Sequence, residues 1–321
     1  MERIDALTPS DLWPPDITPF AAGNTGIPYV WRFDAAEPGP HVAVNALMHG
    51  NEVCGAKALI ALLEADIRPQ CGSLSVSFAN IDAFARFNPR YPHLSRFADE
   101  DMNRIWSPEI LVDSPRGTAE RRRAHVLWPH FGSVDFLLDL HSMQHDSTPL
   151  MLAGKTAKGQ ALARQVGLPA IIVADSGHAD GRRLIDHPRF VDDPTAGPVA
   201  LLAECGRHED PVSADVALAV TARFLEVTGV VATEALTAWL PATPLPPTRL
   251  LDITDVVTVR DDSFRFTGDI AGLDVIATQG TVFAEEAGEE LRTPYDHCVM
   301  IMPTRQPVVG HTAVRLGRFV A

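Results

Sequence analysis

What constrains this chain most is an alternation of short apolar runs with longer amphipathic stretches, in which four of the runs stop beside a polar residue. "VAVNAL" (42–47) reads as a buried strand ending just before His49. Residues 51–67 then continue as an amphipathic helix with Val53, Ala56, Leu59, Ile60 and Leu63 on one face. "LSVSFA" (74–79) is a second strand followed by Asn80, "VDFLLDL" (134–140) ends at His141, and "PVALLA" (198–203) ends at Glu204. Further helices are expected over 117–130, 155–166 and 213–228. Strands alternating with helices predict an α/β fold with a mostly parallel central sheet flanked by helices. Ligands bind such sheets outside the carboxyl ends of the strands, so His49, Asn80, His141 and Glu204 are expected to converge on one crevice.

The pattern changes after "PATPLPPT" (241–248), whose four prolines in eight residues suit a linker rather than helix or sheet. Beyond it, "DVVTVR", "SFRFTG", "LDVIAT", "GTVFAE" and "CVMIMP" are short β-like runs separated by turn residues. The expected organisation is an α/β domain over 1–240, a proline-rich linker over 241–248 and a small all-β domain over 249–321. A net charge of −14 argues against a nucleic-acid partner but leaves room for an anionic small molecule. "MERIDALTPSDLWPP" has charges and prolines where a signal peptide needs an apolar core, and no uncharged apolar run is long enough to span a membrane. Cys54, Cys71, Cys205 and Cys298 form no CxxC pair and read as reduced thiols, so a cytoplasmic location is expected.

The seam "ALMHGNEVCGAKALIALL" (46–63) has two readings. Asn51 as an N-cap, with Glu52 at the positive end of the helix dipole, explains it as a helix start. His49 and Glu52, three residues apart, also suit a metal pair, and His141 at another strand end is the best third ligand. Two imidazoles and a carboxylate around Zn²⁺ leave an open position for water. Glu204, closing an apolar strand before Gly206, is the candidate base. In "RFADEDMNRIW" (96–106), Asp99 and Glu100 read as a solvated loop, whereas Asn103 and Arg104 lead into apolar Ile105 and Trp106 and suit a carboxylate or oxyanion. "ERRRAH" (120–125) reads as a solvated helix face; His145, His187, His208 and His297 lack ligand spacing; Cys54 and Cys205 read as packing thiols.

Together, "ALMHGNE", "ANIDAF", "SRFADEDMNRIW", "LLDLHS" and "AECG" resemble the succinylglutamate desuccinylase/aspartoacylase family of zinc-carboxypeptidase-like hydrolases. The resemblance implies one Zn²⁺ per chain held by His49, Glu52 and His141, with Glu204 as general base and proton shuttle. It implies that Arg96 polarises the scissile carbonyl, that Asn103 and Arg104 hold a substrate carboxylate, and that Asp101 supports that pair. Tyr295 in "RTPYDH" is the match for a β-domain tyrosine that reaches the site, a plain turn residue after Pro294 being the alternative. Family resemblance also leads one to expect a second substrate-binding arginine about ten residues before the glutamate, yet "VDDPTAGPVALLAE" (191–204) contains none. The implied fold is an α/β domain with a mixed sheet and a smaller β domain covering the site. The implied reaction is hydrolysis of the amide or ester of a small N-acylated amino acid, with a carboxylate-bearing metabolite as the only partner beyond self-association. A carboxypeptidase-like peptidase and a non-catalytic metal-binding protein on the same scaffold are the rivals.

Overall fold

The computed structural model describes residues 14–111, 117–144, 146–178 and 180–320. The expectations for the N-terminal leader up to residue 13 and for His145 lie outside the described residues. Along the chain run β1 (Val30–Asp34), β2 (His41–Ala46), β3 (Ser73–Phe78), β4 (Phe136–Met143), β5 (Leu150–Leu152), β6 (Ile171–Ala174), β7 (Val199–Arg207), β8 (Arg249–Thr258), β9 (Arg265–Phe266), β10 (Val275–Ile276), β11 (Val282–Glu286), β12 (Glu289–Arg292), β13 (Cys298–Ile301) and β14 (Thr312–Val320). Eleven of them form one sheet in the order β1-β3-β2-β4-β7-β5-β6-β8-β14-β13-β10; β12, β11 and β9 form a second, antiparallel one. The central run β3-β2-β4-β7 is parallel, as are β5-β6-β8, whereas β5 is antiparallel to β7. This is the α/β architecture read from the sequence.

Each inner strand is buried on both faces, so alternate residues feed two cores. From β2, Val42 and Val44 face a layer with Leu59 and Leu62 of the helix Val53–Glu64 and Val220 and Phe224 of the helix Val212–Thr228. Ala43 faces the opposite layer, with Leu127 and Phe131 of the helix Ala119–Phe131 and with Met102 and Trp106. Residues 241–248 carry no helix or strand. The first half of β8 then pairs with β6 and its whole length with β14, so the C-terminal strands extend the central sheet. A third core of Val259, Phe264, Phe283, Met300 and Val314 lies beneath them.

Two sequence expectations change. β4 and β7 run on through His141 and Glu204, which therefore lie within their strands and face each other in register. The 120–125 segment is a solvated face only in part: Arg122 and His125 are exposed, but two of its charged side chains turn inward. Glu120 is fully buried and accepts the backbone N–H groups of Ala98, Asp99 and Glu100, while Arg123 donates to the carbonyls of Pro28, Phe78 and Ala79. Asp99 and Glu100 are likewise tied to this helix, Asp99 through Ala119 N and Glu100 through Arg121. Among the described residues no helix is long and apolar enough to cross a membrane.

Burial, reinforced by the charges of His41, Arg32 and Arg123, pushes the His130 imidazole down from 6.5 to about 4. An imidazole whose folded pKa is depressed contributes stability above the unfolded value, and that stability drains as pH falls from 6.5 towards 4. Urea unfolding at pH 7, 6 and 5 should show the midpoint falling, and His130→Phe should flatten the decline. An unchanged slope in the variant would contradict this.

Candidate metal centre

β2 ends at Ala46, and Leu47, with φ +58°, turns the chain so that His49 and Glu52 come back across the strand ends. Gly50 is required by crowding. A Cβ there would meet Ala83 C, Phe84 N and Ser95 O at 2.5 Å, in the place where Gly50 N bonds Arg96 O. Glu52 occupies the cap position of the helix Val53–Glu64 but makes no side-chain cap bond, and Asn51 Oδ1 has no partner. The helix-start reading therefore does not account for these two side chains.

Instead the Glu52 carboxylate lies between two imidazoles. Its Oε1 is 2.7 Å from His49 Nδ1 and its Oε2 is 2.8 Å from His141 Nδ1. One donor atom from each of His49, Glu52 and His141 lies within 4.8 Å of the other two, and all three residues are buried. The far nitrogens face carboxylates: His49 Nε2 is 2.9 Å from Asp101 Oδ1 and His141 Nε2 is 2.9 Å from Asp139 Oδ2. That arrangement fixes the imidazole orientation and leaves both Nδ1 atoms aimed inward, as histidine ligands of a metal are held. The donor set and its outer carboxylates thus fit a divalent ion such as zinc.

Asp139 is itself anchored. Asn45 Nδ2 donates to its Oδ1 at 2.7 Å, and Ser77 Oγ donates to Asn45 Oδ1 at 2.7 Å. Ser77, Asn45 and Asp139 stand side by side on β3, β2 and β4 because the register pairs them. The charges respond accordingly. Burial opposes ionisation of Glu52, but His49 and His141 hold it well below the usual carboxylate range. Burial likewise opposes protonation of His141, and Asp139 and Glu52 raise it well above its ordinary value.

Glu204 stands beside His141 on the neighbouring strand, buried, with Oε2 lacking any partner among the described residues. Burial lifts its carboxyl to about 8; the Glu52 carboxylate adds to this, and His141, Arg96 and Arg315 oppose it. Arg96 spans the other side, with Nη1 3.3 Å from Glu52 Oε1 and Nη2 3.1 Å from Asp101 Oδ2. Glu120, clasping the 98–100 backbone, holds the loop that carries both Arg96 and Asp101.

Arg104 is set off from the centre. Its Nε is 3.2 Å from Asp180 Oδ2 and its Nη2 3.9 Å from Asp101 Oδ2. Asn103 Oδ1 accepts from Leu184 N at 2.9 Å. Tyr295 lies apart, its hydroxyl 2.6 Å from Thr254 Oγ1 and its ring beneath Arg318, with none of these contacts reaching the cluster. Asn80 does not join the crevice either: its Oδ1 caps Ala83 N and its Nδ2 donates to Glu120. His208 Nδ1 lies 2.7 Å from Ser142 Oγ, beside His141. Asp139, Asn45, Glu120 and Arg315 escaped the sequence reading. The signal for all four is a polar side chain set inside an otherwise apolar or helical run.

Residues 38–193 match the family model described as Succinylglutamate desuccinylase/Aspartoacylase catalytic domain. No curated protein matches the sequence. Among similar solved structures, succinylglutamate desuccinylase from Vibrio parahaemolyticus is 16% identical, with a TM-score of 0.66, covering 92% of this chain and 87% of that one. A succinylglutamate desuccinylase/aspartoacylase family protein from Shewanella amazonensis is 18% identical, with a TM-score of 0.63 over 91% of this chain and 94% of that one. The ectoine utilization protein EutE (DoeB) from Ruegeria pomeroyi is 18% identical, with a TM-score of 0.59 over 91% and 88%. At these identities the structural likeness speaks for the fold.

Asp139→Asn should keep the fold while weakening the orientation of His141. A drop of about 10–100-fold in zinc affinity is expected, read by competition with a chromophoric chelator. Unchanged affinity would remove Asp139 from the centre.

Proposed function

We propose, from the premise that the chain belongs to the succinylglutamate desuccinylase/aspartoacylase family, that it is a zinc-dependent hydrolase of small N-acylated amino acids or related carboxylate-bearing amides and esters. The observation that carries this reading is Glu204: a buried carboxyl with an unpartnered oxygen, beside a triad of inward-facing metal donors. Zinc held by His49, Glu52 and His141 would supply Lewis acidity, polarising the acyl carbonyl and making water easier to deprotonate. Glu204 Oε2 takes the proton from the attacking water and returns it to the departing nitrogen, so one carboxyl serves as base and then acid.

Arg96 offers donors beside Glu52 and Asp101, where they can steady the negative charge that develops on the carbonyl oxygen. Arg104 and the Asn103 amide nitrogen, the half of that side chain able to donate, anchor the substrate carboxylate and orient the scissile bond. Tyr295, whose contacts are with Thr254 and Arg318, is given no step in this mechanism. A cytoplasmic setting fits the four free cysteines.

A screen of the zinc-loaded protein against N-acetyl and N-succinyl amino acids, ester analogues and short peptides should give turnover on the acylated amino acids. Turnover confined to peptides would favour a peptidase instead. Glu204→Ala should lower kcat by about 100-fold or more with zinc retained; near-normal turnover would remove Glu204 from the reaction. A base acts deprotonated, so kcat/KM should rise with pH. The midpoint should lie above the ordinary 4.5 and no higher than about 8, because a dication nearby draws Glu204 down from that value. A flat profile over this window would contradict the role.

A further inference from the structure

Residues 180–182 fold over Arg104. Trp106 N donates to Arg182 O at 3.1 Å, and Gly181, with φ +148°, approaches so closely that a Cβ would lie 2.0 Å from Arg104 O. Asp180 accepts from Arg104 Nε, and nearby His178 Nε2 lies 2.8 Å from Arg315 Nη2. Arg315 arrives from the far end of the sequence on β14 and is only 4% exposed. Its nearest carboxylate oxygen, Asp175 Oδ2, is 3.8 Å from Nε, and Asp175 already accepts two bonds of 2.9 Å from Arg183. Among the described residues Arg315 Nε has no hydrogen-bond partner.

A buried guanidinium normally has a carboxylate of its own, since an unpaired charge is expensive to desolvate. Here the available acids are shared out: Asp175 and Asp186 to Arg183, Asp180 to Arg104, and Asp101 to His49 and Arg96. His178 supplies no counter-charge, since an imidazole is neutral or cationic; burial and then Arg315, Arg104 and Arg183 hold it neutral, which spares Arg315 a second positive charge. Arg315 also acts on Glu204, helping to draw its carboxyl down, and is itself lowered by burial and by Arg183 and Arg104 despite Asp175. Arg315 thus carries a buried positive charge that no carboxylate of its own answers, within electrostatic reach of the proposed base.

We propose that Arg315 is a specificity-determining residue that, beside Arg104, binds a carboxylate of the substrate in the crevice next to Glu204. This deepens and rests on the hydrolase reading: the substrates are N-acyl amino acids whose free carboxylate is distinguished from a carboxamide. The C-terminal strands thereby contribute to recognition through one buried side chain.

The test uses the zinc-loaded full chain and two readouts. In calorimetry, succinate should bind the wild type, and Arg315→Gln should weaken it by about tenfold or more, the scale of a lost charge-assisted pair. Arg315→Lys should fall between the two and carries the comparison if the glutamine variant does not fold. Succinate binding that is absent from the wild type, or equal in wild type and variants, overturns the proposal. In kinetics, Arg315→Gln should raise KM for the best N-acyl amino acid about tenfold, with little change in kcat, and leave its carboxamide analogue unaffected. Equal losses on both analogues would mark a structural role and overturn it. If no acylated amino acid is hydrolysed while the succinate difference persists, the hydrolase reading fails and the subsite stands. If hydrolysis is found and Arg315→Gln matches the wild type, the reverse holds.

Discussion

The structure depends on one carboxylate, Glu52, held between the inward nitrogens of His49 and His141. A carboxylate so deeply buried is tolerated only when opposite charge meets each of its oxygens. Here two imidazoles and Arg96 meet it, and Asp101 and Asp139 in turn hold the imidazoles. The same carboxylates that orient these imidazoles also suit the triad to holding a divalent ion. Glu204 lies just outside this compensation and is left with a free oxygen.

The fold supplies the geometry through strand register. Ser77, Asn45 and Asp139 stand in one row across β3, β2 and β4, and His141 follows two residues after Asp139. In a parallel sheet a one-residue slip would turn each of these side chains to the opposite face and dissolve the row. Glu120 does comparable work for the irregular loop carrying Arg96 and Asp101: a helix carboxylate binds three consecutive N–H groups and gives the loop a fixed shape. Such networks stabilise when every member is satisfied and are costly when one is missing.

Much of this was legible because period and position are visible in a sequence. Apolar runs ending beside His49, His141 and Glu204 announced both the α/β sheet and the edge at which polar groups gather. Register was less visible. His141 and Glu204 looked like residues beyond their strands, yet they lie inside them, since a strand's end depends on neighbours that the local run does not name. Asn80 obeyed the same strand-end pattern and went to cap a helical turn. "ERRRAH" looked solvated because charge suggests water; Glu120 is buried and Arg123 half-buried because backbone donors and acceptors of other segments satisfy them. Arg315 was hidden for a related reason: it is the first of two arginines in "TAVRLGRFV", a strand whose partners, β8 and β13, lie at long range or across a loop.

The central claim is that His49 Nδ1, Glu52 and His141 Nδ1 close around a single zinc ion. Anomalous diffraction at the zinc edge from crystals of the zinc-loaded protein tests it most directly. One peak per chain should lie about 2.0–2.1 Å from both Nδ1 atoms and at a similar distance from a Glu52 oxygen. A peak bound through the Nε2 atoms, or zinc bound elsewhere with this triad left bare, would contradict the account.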